Sequence, residues 1–220
     1  METKDAKLEV YEAKLGNLLV VGTTGSGMSN FTDLYLTSLA SRYTSDDLQL
    51  ILVDPKKVQL SQYKDLPHVI EVVHDIEQFR KVLAWIEVES ERRLKLKEGV
   101  PVVLLIEETA DFLVADKELV ESSIKKITQR SQETGIYVFL ATARGDMLSQ
   151  NLIDCFQKRI AFRVGTGDLS LLVLGQKGAE NLTQPGSCLV KESGGKVMIA
   201  QMPRVSEKSI ASIAGRHGRA

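Results

Sequence analysis

The sequence predicts an α/β fold with a mostly parallel central sheet, helices on both faces and a short C-terminal hairpin. Short apolar runs alternate with helical patterns along the chain, which is typical of βαβ units. Several runs are nearly all apolar rather than alternating, as expected for strands that are covered by helices on both sides. Two short runs flank Gly194 and Gly195, which predicts an antiparallel hairpin at the edge of the sheet. A chain of 220 residues is long enough to bury a full core for this fold.

Six apolar runs are predicted to form the central strands, and two more form the hairpin. In chain order they are NLLVV (17–21), LQLILV (48–53), VIEVV (69–73), VVLLI (102–106), IYVFLA (136–141), RIAFRV (159–164), SCLV (187–190) and KVMIA (196–200).

Three helices are predicted between the strands. The first follows the glycine-rich segment after the first strand, where apolar residues recur at helical spacing. The second runs from Asp75 to Gly99, with Asp75 and Gln78 as a capping-box pair and Pro101 beyond its end. The third spans 117–134, with three apolar side chains facing inward: Val120, Ile124 and Ile127. The chain divides into a lead-in (1–14), one domain (15–203) and a polar tail (204–220).

Composition indicates an ordinary soluble globular protein, with 43% hydrophobic and 26% charged residues. The formal net charge of -1 gives no general affinity for nucleic acid, so a nucleic-acid groove requires a local basic patch or several subunits. No apolar run approaches the roughly 18 to 20 residues of a membrane helix, and METKDAKLEV is not a signal peptide. The presence of only two cysteines, Cys155 and Cys188, and three histidines, with no C-x-x-C pair, argues against a structural zinc site and for a reducing cytoplasm.

The segment GTTGSGMSN (22–30) differs by one residue from the phosphate-binding frame G-x-x-x-x-G-K-[ST], with Met28 in place of lysine. It follows a predicted strand and opens a predicted helix, so consecutive backbone N–H groups can bind an anion there without a lysine. Ser29 stands where a Mg²⁺-binding hydroxyl belongs, and a glycine turn that serves only the fold is the alternative. The predicted nucleotide-binding residues are Gly22, Thr24, Gly25, Ser26, Gly27, Met28, Ser29 and Asn30.

The fourth strand, in VVLLIEET, ends in two carboxylates, Glu107 and Glu108. Such a pair at the end of a buried strand can divide two tasks, one acid holding Mg²⁺ and the other activating the attacking water. Glu107 is the predicted metal ligand, together with Ser29, and both glutamates are the predicted catalytic residues. A solvated strand end or a helix start is the alternative, and the preceding phosphate loop favours the functional interpretation.

Taken in order, the motifs resemble the motor domain of the FtsK/SpoIIIE DNA translocases, in the HerA/FtsK branch of RecA-like P-loop ATPases. The resemblance covers residues 15–205 and rests on segments that are similar to family motifs. These are LLVVGTTGSGMS, Asp54-Pro55-Lys56, Pro67-His68, Glu91-Arg92-Arg93, IEETADF (106–112), LATARGD (140–146), RIAFRV and Gly178-Ala179-Glu180-Asn181-Leu182.

Three positions depart from the family pattern, and all three are catalytic positions by this resemblance. Met28 replaces the phosphate-binding lysine, Glu107 replaces an aspartate, and Ala143 replaces a sensor glutamine that precedes Arg144. The resemblance therefore implies a nucleotide site for ATP or ADP with Mg²⁺ in which binding is weak or absent and hydrolysis is weakened or abandoned.

The resemblance also implies a ring in which an arginine of one subunit reaches its neighbour's nucleotide. Arg159 and then Arg163 are the candidates, with simple exposure of both side chains to solvent as the alternative. Five further basic residues could face a channel or lie on a solvated helix face: Lys56, Lys57, Lys125, Lys126 and Arg130.

Three functions follow from the resemblance. The first is a translocase motor that acts on double-stranded DNA within a homo-hexamer or a mixed ring with an active paralogue. The second is a non-catalytic structural or regulatory subunit with the motor fold. The third is a degenerate domain of a protein-secretion motor.

Overall fold

The computed structural model describes residues 14–206, so the predicted lead-in, apart from Lys14, and the tail beyond Ser206 lie outside the described residues. The strands are β1 (Leu18–Val21), β2 (Gln49–Val53), β3 (Val69–Val73), β4 (Val102–Glu107), β5 (Ile136–Thr142), β6 (Lys158–Ala161), β7 (Ser187–Lys191) and β8 (Val197–Gln201). The helices are α1 (Met28–Arg42), α2 (Ile76–Leu96), α3 (Thr109–Thr134), α4 (Gln150–Ile153) and α5 (Gly167–Leu174).

All eight strands form one sheet in the order β3-β2-β4-β5-β1-β6-β7-β8. The first six strands of that order pair in parallel, and β7 and β8 are antiparallel to their neighbours. This arrangement confirms the predicted mostly parallel sheet with a hairpin at its edge. Because β1, β2, β4 and β5 are parallel, their carboxyl ends lie on the same side of the sheet, and the segments that follow these strands meet there.

Two apolar cores lie on opposite faces of the sheet, as the nearly continuous apolar strands predict. Along β1, Leu18 and Val20 pack against α1 on one face, and Leu19 and Val21 belong to the core that includes α2, α3 and α5 on the other. Both faces are therefore covered by helices.

Helix α2 begins as predicted, since the Asp75 carboxylate accepts a hydrogen bond from the Gln78 N–H. The Gln78 side chain accepts from the His74 N–H, one residue before the cap. The predicted helix over 117–134 matches the second part of α3, which begins after a kink at the non-helical Asp116, whereas the first part, from Thr109, was not predicted. The predicted sixth strand extends too far, since β6 ends at Ala161.

Helices α4 and α5 were not predicted. The four-residue α4 is too short to show a period, and GDLSLLVL in α5 lacks a regular polar stripe. Within residues 14–206, no helix is long and apolar enough to cross a membrane.

Candidate functional site

The glycine-rich loop between β1 and α1 is fixed by backbone contacts with the chain that precedes β7. Gly25 and Gly27 have positive φ angles of 77° and 103°. A Cβ atom at Gly27 would lie 2.6 Å from the Gly186 nitrogen, so only glycine fits this contact. The Gly186 N–H in turn donates to the Ser26 carbonyl oxygen at 2.8 Å. These contacts hold the loop in a defined shape.

Several hydrogen-bond donors of this loop have no protein acceptor. Within residues 14–206, the backbone N–H groups of Gly25, Gly27, Met28 and Ser29 donate to no protein atom. The Ser26 hydroxyl is buried and also lacks a partner in that range. A buried polar group without a partner is costly, so its presence here suits an anion such as phosphate.

Met28 lies at the first position of α1, and its side chain packs into the apolar core on the α1 face. Only 7% of the residue is exposed. A thioether in this position contributes to packing and supplies no charge to the loop.

The other predicted loop residues differ in their surroundings. Thr24 and Ser29 are exposed, and the Ser29 carbonyl oxygen accepts a hydrogen bond from the Gln59 side chain at 3.1 Å. The Asn30 side chain donates to the Pro203 carbonyl oxygen and accepts from the Val205 N–H. Asn30 therefore fixes the start of the C-terminal tail instead of facing the loop.

Glu107 is the last residue of β4, and its carboxylate is buried. The Thr32 hydroxyl donates to Glu107 Oε2 at 3.2 Å. Burial raises the pKa of Glu107 to about 7, with smaller contributions from the negative charges of Glu108 and Asp54. A carboxyl of this kind is partly protonated at neutral pH, which weakens it as a metal ligand.

Glu108 follows in a left-handed conformation with a φ of 59°. Its Oε1 accepts a hydrogen bond from the Thr142 hydroxyl at 2.8 Å, and Lys56 Nζ lies 3.4 Å from Oε2. Arg144 Nε lies 3.6 Å from Oε1. Three partners therefore already surround the carboxylate that the sequence predicts to be a general base.

Lys56 was placed by the sequence among possible channel-facing residues, and its position at this site was missed. The segment after β2 is held by Asp54, which is buried and accepts from the Leu60 N–H at 2.8 Å. Asp54-Pro55-Lys56 directly follows the carboxyl end of β2. This position in the sequence could have predicted that Lys56 lies near the loop and the two glutamates.

These segments enclose a cleft of about 500 Å³. Its lining includes Met28, Lys56, Glu107, Glu108 and Ala143. Thr23, Thr24, Gly25, Gly27 and Ser29 also contribute from the loop. The structure thus brings together the loop, the two acids and the sensor position that the sequence predicted separately.

Arg144, next to Ala143, forms an ion pair with Asp111 at the start of α3. Ala143 is partly buried against the core on the α1 face, and its methyl side chain cannot form a hydrogen bond with a ligand.

The two candidate trans arginines have different environments. Arg159 is 9% exposed, and its guanidinium donates to the carbonyl oxygens of Phe156 and Val173 and pairs with Asp154. Simple exposure to solvent, the alternative considered for Arg159, is therefore wrong. Arg163 is exposed, and its carbonyl oxygen accepts hydrogen bonds from Thr23 of the loop. Of the two, Arg163 has the free surface that contact with a neighbour would require.

The remaining basic residues lie away from the cleft or are paired. Lys126 and Arg130 on α3 form ion pairs with Glu87 and Glu91 on α2. Lys125 lines a polar groove beside the first residues of β1 and β6, at the amino ends of the strands and so on the opposite side from the cleft. Lys57 is exposed and has a φ of 57°.

The residues present fit a phosphate group better than a metal ion. The free N–H groups and the Ser26 hydroxyl can donate to phosphate oxygens. Within residues 14–206, no group of three or more His, Cys, Asp or Glu side chains could hold a metal. Because Mg²⁺ commonly takes one or two protein ligands and completes its shell with phosphates and water, Ser29 and Glu107 could serve only beside a bound nucleotide.

The family model described as FtsK/SpoIIIE family matches residues 2–97. A DNA translocase FtsK of Leptospira interrogans is 32% identical over 91% of this chain. The alignment covers 24% of that protein, so the chain spans about a quarter of the length of this relative.

Two solved structures share the fold at low sequence identity. The cytoplasmic domain of the Thermomonospora curvata type VII secretion ATPase EccC aligns with a TM-score of 0.78 and 18% identity, over 93% of this chain and 28% of that one. The pCW3 conjugation coupling protein TcpA aligns with a TM-score of 0.78 and 18% identity, over 97% of this chain and 73% of that one. At such identities the likeness establishes the RecA-like P-loop fold alone. The translocase similarity along nearly the whole chain, with the family-model match over residues 2–97, shows that the chain belongs to the FtsK/SpoIIIE family.

Proposed function

We propose that this chain is a motor-type domain that binds ATP or ADP weakly, hydrolyses it poorly or not at all, and acts in a ring on double-stranded DNA. The observation that supports it is the contrast within the loop. Loop N–H groups and a Ser26 hydroxyl that have no partner in the described part of the chain can bind phosphate, whereas the buried Met28 supplies no positive charge. Residues 15–203 are proposed as the functional unit.

In this proposal the loop would orient the phosphates of a bound nucleotide, and Glu108 would be the available base. A bound nucleotide with Mg²⁺ would supply the reactive phosphoryl group and a Lewis acid. Glu108 can accept a proton only if its ion pairs leave an oxygen lone pair free, and it already has Thr142, Lys56 and Arg144 as partners. Weak general-base catalysis and a missing loop cation both favour slow hydrolysis.

Titration calorimetry with ATP and ADP in the presence of Mg²⁺, followed by a turnover assay on the same sample, tests the nucleotide part. We expect binding without substantial turnover. Met28→Lys should tighten binding about tenfold by adding a charge contact, still without substantial turnover. Met28→Leu, which keeps the packing and adds no charge, is the control and should bind as the parent does. Rapid hydrolysis by the parent protein would contradict the proposal.

Binding to duplex DNA across a salt series tests the cargo. The DNA branch is favoured by Asp54-Pro55-Lys56, RIAFRV and GAE, which are similar to translocase motifs. Phosphate contacts should give an affinity that falls steeply with salt. A flat and weak response would favour the protein-secretion alternative or a structural subunit without cargo contact. A neighbour's nucleotide is the proposed target of Arg163, in a homo-hexamer or in a mixed ring with an active paralogue.

A further inference from the structure

We propose that Lys56 supplies the cation that Met28 lacks, by contacting the terminal phosphates of a nucleotide in the cleft. This inference rests on the proposed nucleotide binding and names the residue that makes it possible. The cation would then come from the segment after β2 and not from the glycine loop.

The position of Lys56 is set by its own segment. Lys56 lines the same cleft as Met28 and Glu108. The buried Asp54 accepts the Leu60 N–H through its carboxylate and the Lys57 N–H through its carbonyl oxygen, which fixes the turn around Lys56. The side chain itself is 56% exposed, so its ammonium group can move while the turn stays fixed.

The present partner of Lys56 is replaceable. Its Nζ lies 3.4 Å from Glu108 Oε2, a long contact for an ion pair with a half-exposed lysine. Were Lys56 to turn toward a phosphate, Glu108 would keep the Thr142 hydroxyl and Arg144 as partners. A phosphate carries more negative charge than one carboxylate and binds lysine as a point charge, so exchange of partners is favoured.

Other cations near the cleft are less suited to this role. Arg144 is already paired with Asp111 and lies against Glu108. Lys57 has the same charge and is adjacent in sequence, but it does not line the cleft. Lys57 therefore provides a control with the same change in net charge.

Calorimetry with ATP and ADP on the full chain, comparing Lys56→Met with Lys57→Met, tests the inference. We expect Lys56→Met to weaken ATP binding at least tenfold and ADP binding less, with Lys57→Met within twofold of the parent. Lys56→Arg should retain most of the affinity. In the double variant Met28→Lys/Lys56→Met, the restored loop lysine should recover the affinity that Lys56→Met loses.

The outcomes separate this inference from the proposed function. If the parent binds ATP and Lys56→Met binds equally well, the Lys56 assignment is wrong and nucleotide binding stands. Equal losses in both methionine variants mean a general charge effect and also overturn it. If the parent binds no nucleotide, the proposed function fails and this inference fails with it. Nucleotide-free thermal unfolding shows whether each variant is folded.

Discussion

The glycine-rich loop and the carboxyl end of β4 face the same cleft, but their polar groups differ in how many hydrogen-bond and ion-pair partners they have. In the loop, the backbone is fixed in shape, and several donors, including the Ser26 hydroxyl, have no acceptor among residues 14–206. At the end of β4, Glu107 accepts from Thr32, and Glu108 has three partners from its own chain. The loop offers donors to an anion, whereas both carboxylates already have hydrogen-bond or ion-pair partners within the chain. Under the proposed function, phosphate binding and hydrolysis are therefore expected to depend on different regions of the molecule.

The largest expected effect concerns the loop backbone. Gly27→Ala combines a positive φ of 103° with a contact of 2.6 Å to the Gly186 nitrogen. We expect a loss of about 3 to 4 kcal/mol in the free energy of unfolding, from backbone strain and forced displacement together. Urea denaturation measures this loss.

Two other glycines calibrate that experiment. Gly25→Ala has a φ of 77° but meets nothing within 4 Å, so only strain of about 1 kcal/mol is expected. Gly16→Ala meets nothing within 4 Å and has no unusual φ, so its effect should be near zero. If Gly27→Ala were as mild as Gly25→Ala, the loop would not be braced by the Gly186 contact.

The next largest effect concerns Glu107 at the end of β4, and it depends on pH. The pKa of Glu107 is raised from 4.5 to about 7 in the folded chain. Between these values the folded state binds more protons than the unfolded state, so stability falls as pH rises through this window. Because one pKa unit corresponds to about 1.4 kcal/mol, Glu107→Gln should stabilise the nucleotide-free protein by about 3 kcal/mol at pH 8 and by less than about 1 kcal/mol at pH 5.

Thermal and urea unfolding at the two pH values, with a chelator present, measure this difference. Glu118→Gln, on the exposed face of α3, is the matched control and should change stability little at either pH. An equal effect of Glu107→Gln at both pH values would mean that Glu107 is ionised in the folded chain at pH 5 as well as at pH 8. Its pKa would then not be raised by burial.

The sequence predicts the sheet, the loop and the acid pair because each is encoded locally. Apolar runs mark the strands, and glycines mark the loop. The surroundings of Glu108 were not predictable, since Lys56, Thr142 and Arg144 come from three other segments. The burial of Arg159 was not predictable for the same reason. Strand alternation suggests exposure, but the carbonyl oxygen of Val173 in the unpredicted α5 accepts from its guanidinium.

The start of α3 shows a different limit. Asp116 interrupts the helix, so the period visible from 117 onward does not extend back to Thr109. The Asp116 carboxylate accepts from the Leu119 N–H and thus caps the second part locally, which is the signal that the sequence does carry.

The smallest expected effects compare one hydroxyl from each region. Ser26→Ala removes a buried hydroxyl without a partner, so stability should rise by up to about 1 kcal/mol while phosphate binding weakens. Thr142→Val removes a hydroxyl that donates to Glu108 and accepts from the Arg144 N–H, so stability should fall by about 1 to 2 kcal/mol. Urea denaturation without nucleotide measures both changes, and their opposite signs are the test. If Ser26→Ala were as destabilising as Thr142→Val, the Ser26 hydroxyl would already have a hydrogen-bond partner in solution. The polar groups of the loop would then be as well paired as those at the end of β4.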